Sequence, residues 1–139
     1  MTGAGSGIGR QTALAFAREG AEVVISDIDE ASVKDTATKI AACGGNAHTY
    51  TLDVSDADAV ERFAEQVCAD HGVPDIVVNN AGVGHAGLFL DTPVEEFDRV
   101  LDVNLGFQPD NPRYLFPETF TYAPGAWESP VPSGALKSR

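Results

Sequence analysis

The sequence predicts an α/β fold: a doubly wound parallel sheet. Three observations predict it. A glycine cluster at 3–9 opens a helical stretch. Short β-branched runs follow, each ending in an acid or an amide. Stretches of about a dozen residues with helical period separate those runs. Strands that alternate with helices pair in parallel, because each return crosses the sheet on a helix.

Residues 10–19 read as the first helix, with Gly20 placed to end it in a left-handed conformation. Residues 21–27 (Ala-Glu-Val-Val-Ile-Ser-Asp) read as a buried strand. Asp29 is placed to cap a helix over 30–43, whose apolar stripe is Val33, Ala37, Ile40 and Ala41 and which Gly44-Gly45 stops. Residues 47–54 read as the next strand. Ser55 then stands as the cap of a helix with Val60, Phe63, Ala64 and Val67 on one face. Ile76-Val77-Val78 reads as a further buried strand within 75–80, running into Asn79-Asn80-Ala81-Gly82. Thr92-Pro93-Val94-Glu95 reads as a capping box with proline at the first helical position, opening a helix to about Leu105.

The balance of charge narrows the partners. Nine basic residues against 21 acidic ones give a net charge of −12, which repels nucleic acid and anionic membrane. No apolar run approaches the roughly 20 residues a bilayer span needs, and Met1-Thr2-Gly3-Ala4 has no basic or greasy leader character. Cys43 and Cys68 fall in helical stretches and read as buried thiols of a reducing, cytoplasmic protein. The 18 acids and 6 bases of residues 1–106 carry the whole imbalance. Residues 107–139 hold 6 of the 8 prolines and 6 of the 11 Phe, Trp and Tyr residues, so they read as an irregular tail beside an α/β body at 1–106.

The glycines need their spacing examined. Gly3-x-Gly5 is followed by Ile8 and Gly5-x-Gly7 by Arg10, so Gly-x-Gly-x-x-Gly is absent there; no Gly-Lys-Ser/Thr of a P-loop follows either. What fits is Thr2-Gly3-Ala4-Gly5-Ser6-Gly7-Ile8-Gly9, the pattern Thr-Gly-x-x-x-Gly-x-Gly. With Asp27, Asp53-Val54, Asn79-Asn80-Ala81-Gly82 and Asn104 within Leu101–Gly106, the sequence resembles the classical short-chain dehydrogenase/reductase family over essentially all of 2–106. Its wording is also similar to dehydrogenase modules appended to actinobacterial epoxide hydrolases. The resemblance implies a partial Rossmann-like fold, in which the first strand and the C-terminal half are missing, and hydride transfer between nicotinamide and an alcohol or ketone. Intact members of the family are usually homo-oligomers.

Each motif has a physical reading. Gly3, Gly7 and Gly9 allow a tight turn and bring backbone N–H groups to a pyrophosphate at the positive end of a helix, with Gly5, Ser6 and Ile8 in the same cradle. Asp27 ends a strand where its carboxylate can accept hydrogen bonds from both adenosine ribose hydroxyls. It would repel a 2′-phosphate, so NAD is favoured over NADP. The resemblance implies that Asp53 meets the adenine amino group and Val54 the ring; the plain reading of Asp53 is a solvated acid at a strand end. Asn79 and Asn80 read equally as a brace between strands and as cofactor contacts. Ala81 and Gly82 offer a small surface to the cofactor ribose. Asn104 shares a helix face with Phe97, Val100 and Leu101 and so reads as a core amide; the resemblance implies that it holds a water of a proton relay. His48, His71 and His85 show no mutual metal spacing, and His85 reads as a loop residue.

The resemblance stops short of the chemistry. The family's Tyr-x-x-x-Lys is absent: four residues after Tyr50, Tyr114 and Tyr122 stand Val54, Glu118 and Ala126. Ser129 and Ser133 lack the context of the family's catalytic serine. The sequence therefore reads as an inactive cofactor-binding half. Its rivals are a non-catalytic nucleotide-binding or interaction module and a fragment stable only with a partner chain. A glycine loop of this kind belongs after a central strand, lying between those at 21–27 and 75–80, so the isolated chain is expected to be poorly folded or associated.

Overall fold

A computed structural model describes residues 1–105; the tail at 107–139, with Tyr114, Tyr122, Ser129 and Ser133, lies outside the described residues. In chain order the elements are α1 (Gly7–Arg18), β1 (Glu22–Asp27), α2 (Glu30–Ala42), β2 (Asn46–Thr51), α3 (Ala57–His71), a 3-10 turn (Phe89–Asp91) and α4 (Val94–Asn104). β1 and β2 pair in parallel, from Glu22 opposite Asn46 to Asp27 opposite Thr51.

Alternation along β1 sorts the layers. Val23 and Ile25 join Ala13, Leu14, Ala17, Val33 and Ile40, a cluster shared with α1 and α2. Val24, pointing the other way, packs against Leu52, Val54, Val60, Phe63, Ala64 and Val67, most of them from α3. Helices thus cover both faces of the sheet, as a doubly wound architecture requires.

Local chemistry sets the element ends. α1 begins three residues ahead of the expected 10–19, because the N–H of Arg10 already donates to Ser6 O at 3.0 Å. Gly20 takes φ +88° behind it, as expected. Asp29 caps α2, its carboxylate accepting from the N–H groups of Ala31 and Ser32 at 2.9 and 3.3 Å. Three expectations are corrected. The cap of α3 is Asp56, which accepts from Ala59 N at 2.9 Å; the Ser55 hydroxyl is spent on Asp53. α4 has no side-chain cap: Pro93 occupies the cap position and the Thr92 hydroxyl donates to Leu88 O at 3.0 Å. Cys43 is exposed at the end of α2 rather than buried.

Residues 76–78 form no regular strand, and the reason is visible in their pairing. Thr2 bridges to Ser26 in parallel on the free edge of β1. Ser26 N donates to Met1 O at 2.9 Å and Ala4 N to Ser26 O at 3.0 Å, while on the other side Thr2 N donates to Val78 O at 3.1 Å. Residues 1–4 therefore occupy the central position only at its carboxyl end. Toward the amino end a groove of about 270 Å³ remains, lined by Val23, Val24, Phe63, Val67, Ile76 and Val77 among others. The Met1 ammonium points along it and donates to Val24 O at 2.7 Å, and burial lowers its pKa from 8.0 to about 6.

The expected core face of α4 is also corrected. No residue of α4 is buried among the described residues, and Phe97 and Leu101 are exposed. Phe97 meets Phe89 edge to face at 5.6 Å instead.

Candidate cofactor site

The loop from Thr2 to Gly9 is held from behind by residues 80–81. Asn80 Nδ2 donates to Thr2 O and Gly3 O, both at 3.1 Å. The Thr2 hydroxyl accepts the N–H groups of Asn80 and Ala81, also at 3.1 Å. The approach is so close that a Cβ at Gly3 would lie 2.7 Å from Ala81 Cα, and one at Gly9 would lie 2.2 Å from Gly3 O. Gly3 and Gly7 stand at φ +64° and +51°, a region that glycine occupies without strain. Asn80 thus braces the loop against the segment that would be the next strand.

Asp27 closes the loop from the front. Its Oδ2 accepts Gly5 N at 2.8 Å and its Oδ1 accepts Asp29 N at 3.1 Å. A Cβ on residue 5 would sit 2.7 Å from that Oδ2, so the glycine and the acid fit each other. Arg10 was not singled out by the sequence, yet it organises the floor. Its Nε donates to the Thr36 hydroxyl at 2.9 Å, its Nη2 donates to Gly5 O, and its guanidinium pairs with Asp35 at 3.1 Å. The buried Thr36 in turn donates to Ala4 O at 2.9 Å. The signal for it was a hydroxyl set into the apolar stripe of α2.

Asp53 lies exposed just beyond β2, where Leu52 N donates to Asp27 O at 3.0 Å. Its Oδ1 accepts the hydroxyl of Ser55 at 2.6 Å and the N–H of Ser55 at 2.9 Å, which holds the carboxyl below its ordinary value. Val54 is buried in the α3 cluster. Asn104 is exposed, not a core amide. It pairs with the backbone of Val83 both ways, accepting its N–H at 2.8 Å and donating to its carbonyl at 2.9 Å. Gly82 packs beside it, a Cβ there reaching Asn104 Oδ1 at 3.2 Å. Ser6 and Ile8 are exposed at the start of α1. Gly3, Gly5 and Gly9 thus meet Asp27, Asn80 and Ala81 beyond the carboxyl end of β1, the end of the sheet where α/β folds take ligands in a crevice.

The start of α1 offers backbone donors of the kind that hold anions. The opening N–H groups of α1 have no acceptor within their own helix, and a Cβ at Gly7 would meet nothing within 4 Å. The approach to the helix N-terminus is open.

A parallel α/β unit with this loop is a nucleotide-binding architecture, and the comparisons with known proteins narrow it. The family described as Enoyl-(Acyl carrier protein) reductase matches residues 3–106. The chain is 79% identical over 106 residues to the "Probable oxidoreductase EphD" of Mycobacterium tuberculosis, covering 76% of this chain and 18% of that protein. It is 42% identical over 118 residues to the "Uncharacterized oxidoreductase YxbG" of Bacillus subtilis, covering 84% of this chain and 43% of the relative. Among solved structures, a metagenomic short-chain oxidoreductase in complex with NADP superposes with a TM-score of 0.74 at 37% identity, over 86% of this chain and 52% of that one. A short-chain dehydrogenase/reductase from Mycobacterium marinum gives 0.73 at 38% identity, over 76% and 43%.

The chain belongs to the short-chain dehydrogenase/reductase family, as a partial Rossmann-like fragment. It spans less than half the length of these curated relatives. No helix among the described residues is long and apolar enough to cross a membrane.

Proposed function

We propose that this chain is the NAD-binding half of a short-chain oxidoreductase and that it does not turn over as written. The observation that carries the reading is Asp27, fixed by Gly5 N at 2.8 Å at the lip of the crevice. A carboxylate held there accepts hydrogen bonds from ribose hydroxyls and repels a 2′-phosphate. Arg10, the cation nearest the loop, is already engaged with Asp35, Thr36 and Gly5, so it is not a free partner for that phosphate.

Bound NAD supplies the hydride acceptor for oxidation of a carbinol carbon. The chain's own residues do the holding. The N–H groups at Gly7 and Ile8 would hold the pyrophosphate, with Gly3, Gly5, Ser6 and Gly9 shaping the cradle. Asp27 would take the ribose, Asp53 and Val54 the adenine, and Asn80, Ala81 and Gly82 the second ribose. Asn104 holds the loop at Val83 that borders the site. In the family a Tyr/Lys pair moves the proton, and the sequence has no Tyr-x-x-x-Lys, so the acid–base step is without its groups.

Calorimetric titration of the purified chain with NAD and NADP tests this, alongside an assay of alcohol oxidation. The expected result is tighter binding of NAD, loss of that preference in Asp27→Ala, and no turnover. Turnover that survives further purification refutes inactivity. NADP binding more tightly than NAD refutes the role of Asp27. Failure to bind either dinucleotide favours a fragment that functions only with a partner chain.

A further inference from the structure

The far end of the sheet carries a second constellation. Glu22 opens β1, His48 lies near the start of β2, and His71 is the last residue of α3. These are the amino ends of the strands, away from the glycine loop. His48 Nε2 stands 2.5 Å from Glu22 Oε1, and the rings of His48 and His71 lie 4.0 Å apart at an angle of 36°. One ligand atom from each of the three residues falls within 4.8 Å of the other two.

We propose that Glu22, His48 and His71 bind a divalent transition metal of the zinc class, with water completing the coordination. Two imidazoles and one carboxylate are a donor set suited to such an ion, at about 2.0–2.2 Å from each donor. Tetrahedral placement at those lengths needs donors about 3.3 Å apart. The His48–Glu22 contact must open slightly and the remaining distances close. Both movements are side-chain adjustments at a surface, where Glu22 is 60% and His48 31% exposed.

A simple ion pair accounts for Glu22 and His48 but leaves the third ring unexplained. His71 is brought against His48 and is also held from outside: the Tyr50 hydroxyl lies 2.7 Å from His71 Nε2 and donates to Asp70 at 3.2 Å. On the other flank Asn46 Nδ2 donates to Glu22 Oε1 at 3.2 Å. Outer partners of this kind orient metal-ligating side chains. A chain of charge −12 also draws cations to its surface. The three ligands come from three successive elements, so their spacing in sequence matches no local metal motif; only the parallel register and the end of α3 bring them together. The sequence shows no mutual metal spacing among the three histidines, yet the structure sets the rings of His48 and His71 together, while His85, beside Glu96 at 3.7 Å, stands apart.

The test is titration of the chelator-treated full chain with Zn²⁺, followed by calorimetry and by NMR of the histidine rings. One ion per chain is expected to bind saturably, shifting the His48 and His71 ring signals together while those of His85 stay in place. His48→Ala and His71→Ala should each weaken binding by at least about tenfold, as even outer-partner losses cost that much at metal sites. Glu22→Gln should weaken it, and His85→Ala should not. Absence of saturable binding, equal responses from all three histidines, or unaltered affinity in His71→Ala overturns the proposal. The ring signals of the unsubstituted chain decide the matter even if a variant fails to fold.

Discussion

The half of the molecule before Asp53 and the arm from Pro74 to Leu105 are written in the same pattern and end differently. In the first, the apolar stripes of α1 and α2 close on β1, and Ile25 and Ile40 reach zero exposure. In the second, α4 has an equally marked apolar stripe, yet Val94, Phe97, Leu101 and Leu105 stay open, as do Leu88, Phe89 and Leu90 before it. The two are joined through the hydrogen bonds of Thr2 with Val78, Asn80 and Ala81, and through Val77, Ala81 and Val103, which pack on the cluster of Leu52 and α3. An amphipathic pattern states which face is to be covered; it does not supply the cover. Where β1 lies beneath the helix, the stripe becomes core. Where the segment at 76–78 has one backbone partner among the described residues, the sheet does not extend, and α4 reaches the α3 cluster through Val103 while Val94, Phe97 and Leu101 stay exposed.

The sharpest way to break this contrast is to remove one side chain from each half. Ile40→Ala deletes a fully buried group against Gly45 and the α1 cluster, and should cost about 2–5 kcal/mol in urea denaturation of the whole chain. Leu101→Ala, at a residue 51% exposed, should stay within about 0.5 kcal/mol. Equal losses would mean that α4 is as well covered as α2, and the comparison would fall.

The groove at the join offers the next test, through pH. In a chain that starts at Met1, the ammonium titrates near 6 when folded and at 8.0 when unfolded. Between those values the unfolded state holds more protons, so stability rises with pH, is complete above about 8, and is lost as pH falls toward 6. Two units correspond to at most about 2–3 kcal/mol. Placing Val-Ala-Val-Val ahead of Thr2 moves the charge away and fills the groove between Val23 and Ile76. That chain should be more stable, and the pH slope should be smaller by this amount; the histidines, common to both chains, cancel. Identical slopes would show that the ammonium is not buried as described.

What the sequence disclosed follows the same division. The strand at β1, the cap at Asp29 and the stop at Gly20 rest on local chemistry: a β-branched run, an Asx cap and a left-handed glycine. Neighbours along the chain decide these features. The strand at 76–78, the buried face of α4 and the core position of Asn104 depend on partners far away in sequence, and each expectation changed. Arg10 and the His48–His71 pair escaped notice for the same reason, since their partners Thr36, Asp35 and Glu22 come from other elements.

The smallest expected effect separates the helix starts. Asp56 accepts Ala59 N at 2.9 Å and satisfies one of the four N–H groups that α3 cannot satisfy itself. Asp56→Ala should therefore cost about 1 kcal/mol, with Asp56→Asn close to neutral, because an amide oxygen caps nearly as well. Thr92 occupies the corresponding place in the sequence signature of α4, but its hydroxyl donates backwards to Leu88 O at 3.0 Å, and Pro93 follows as the residue at the helix boundary. Removing that hydroxyl frees no helix N–H, so Thr92→Ala should change stability by only a few tenths of a kcal/mol. Both substitutions are read in the same denaturation experiment. A cost for Thr92→Ala as large as for Asp56→Ala would place the hydroxyl on the helix after all. The arm would then be tied at its start as firmly as the packed half, and its open apolar face would have to be explained by something other than a loose start.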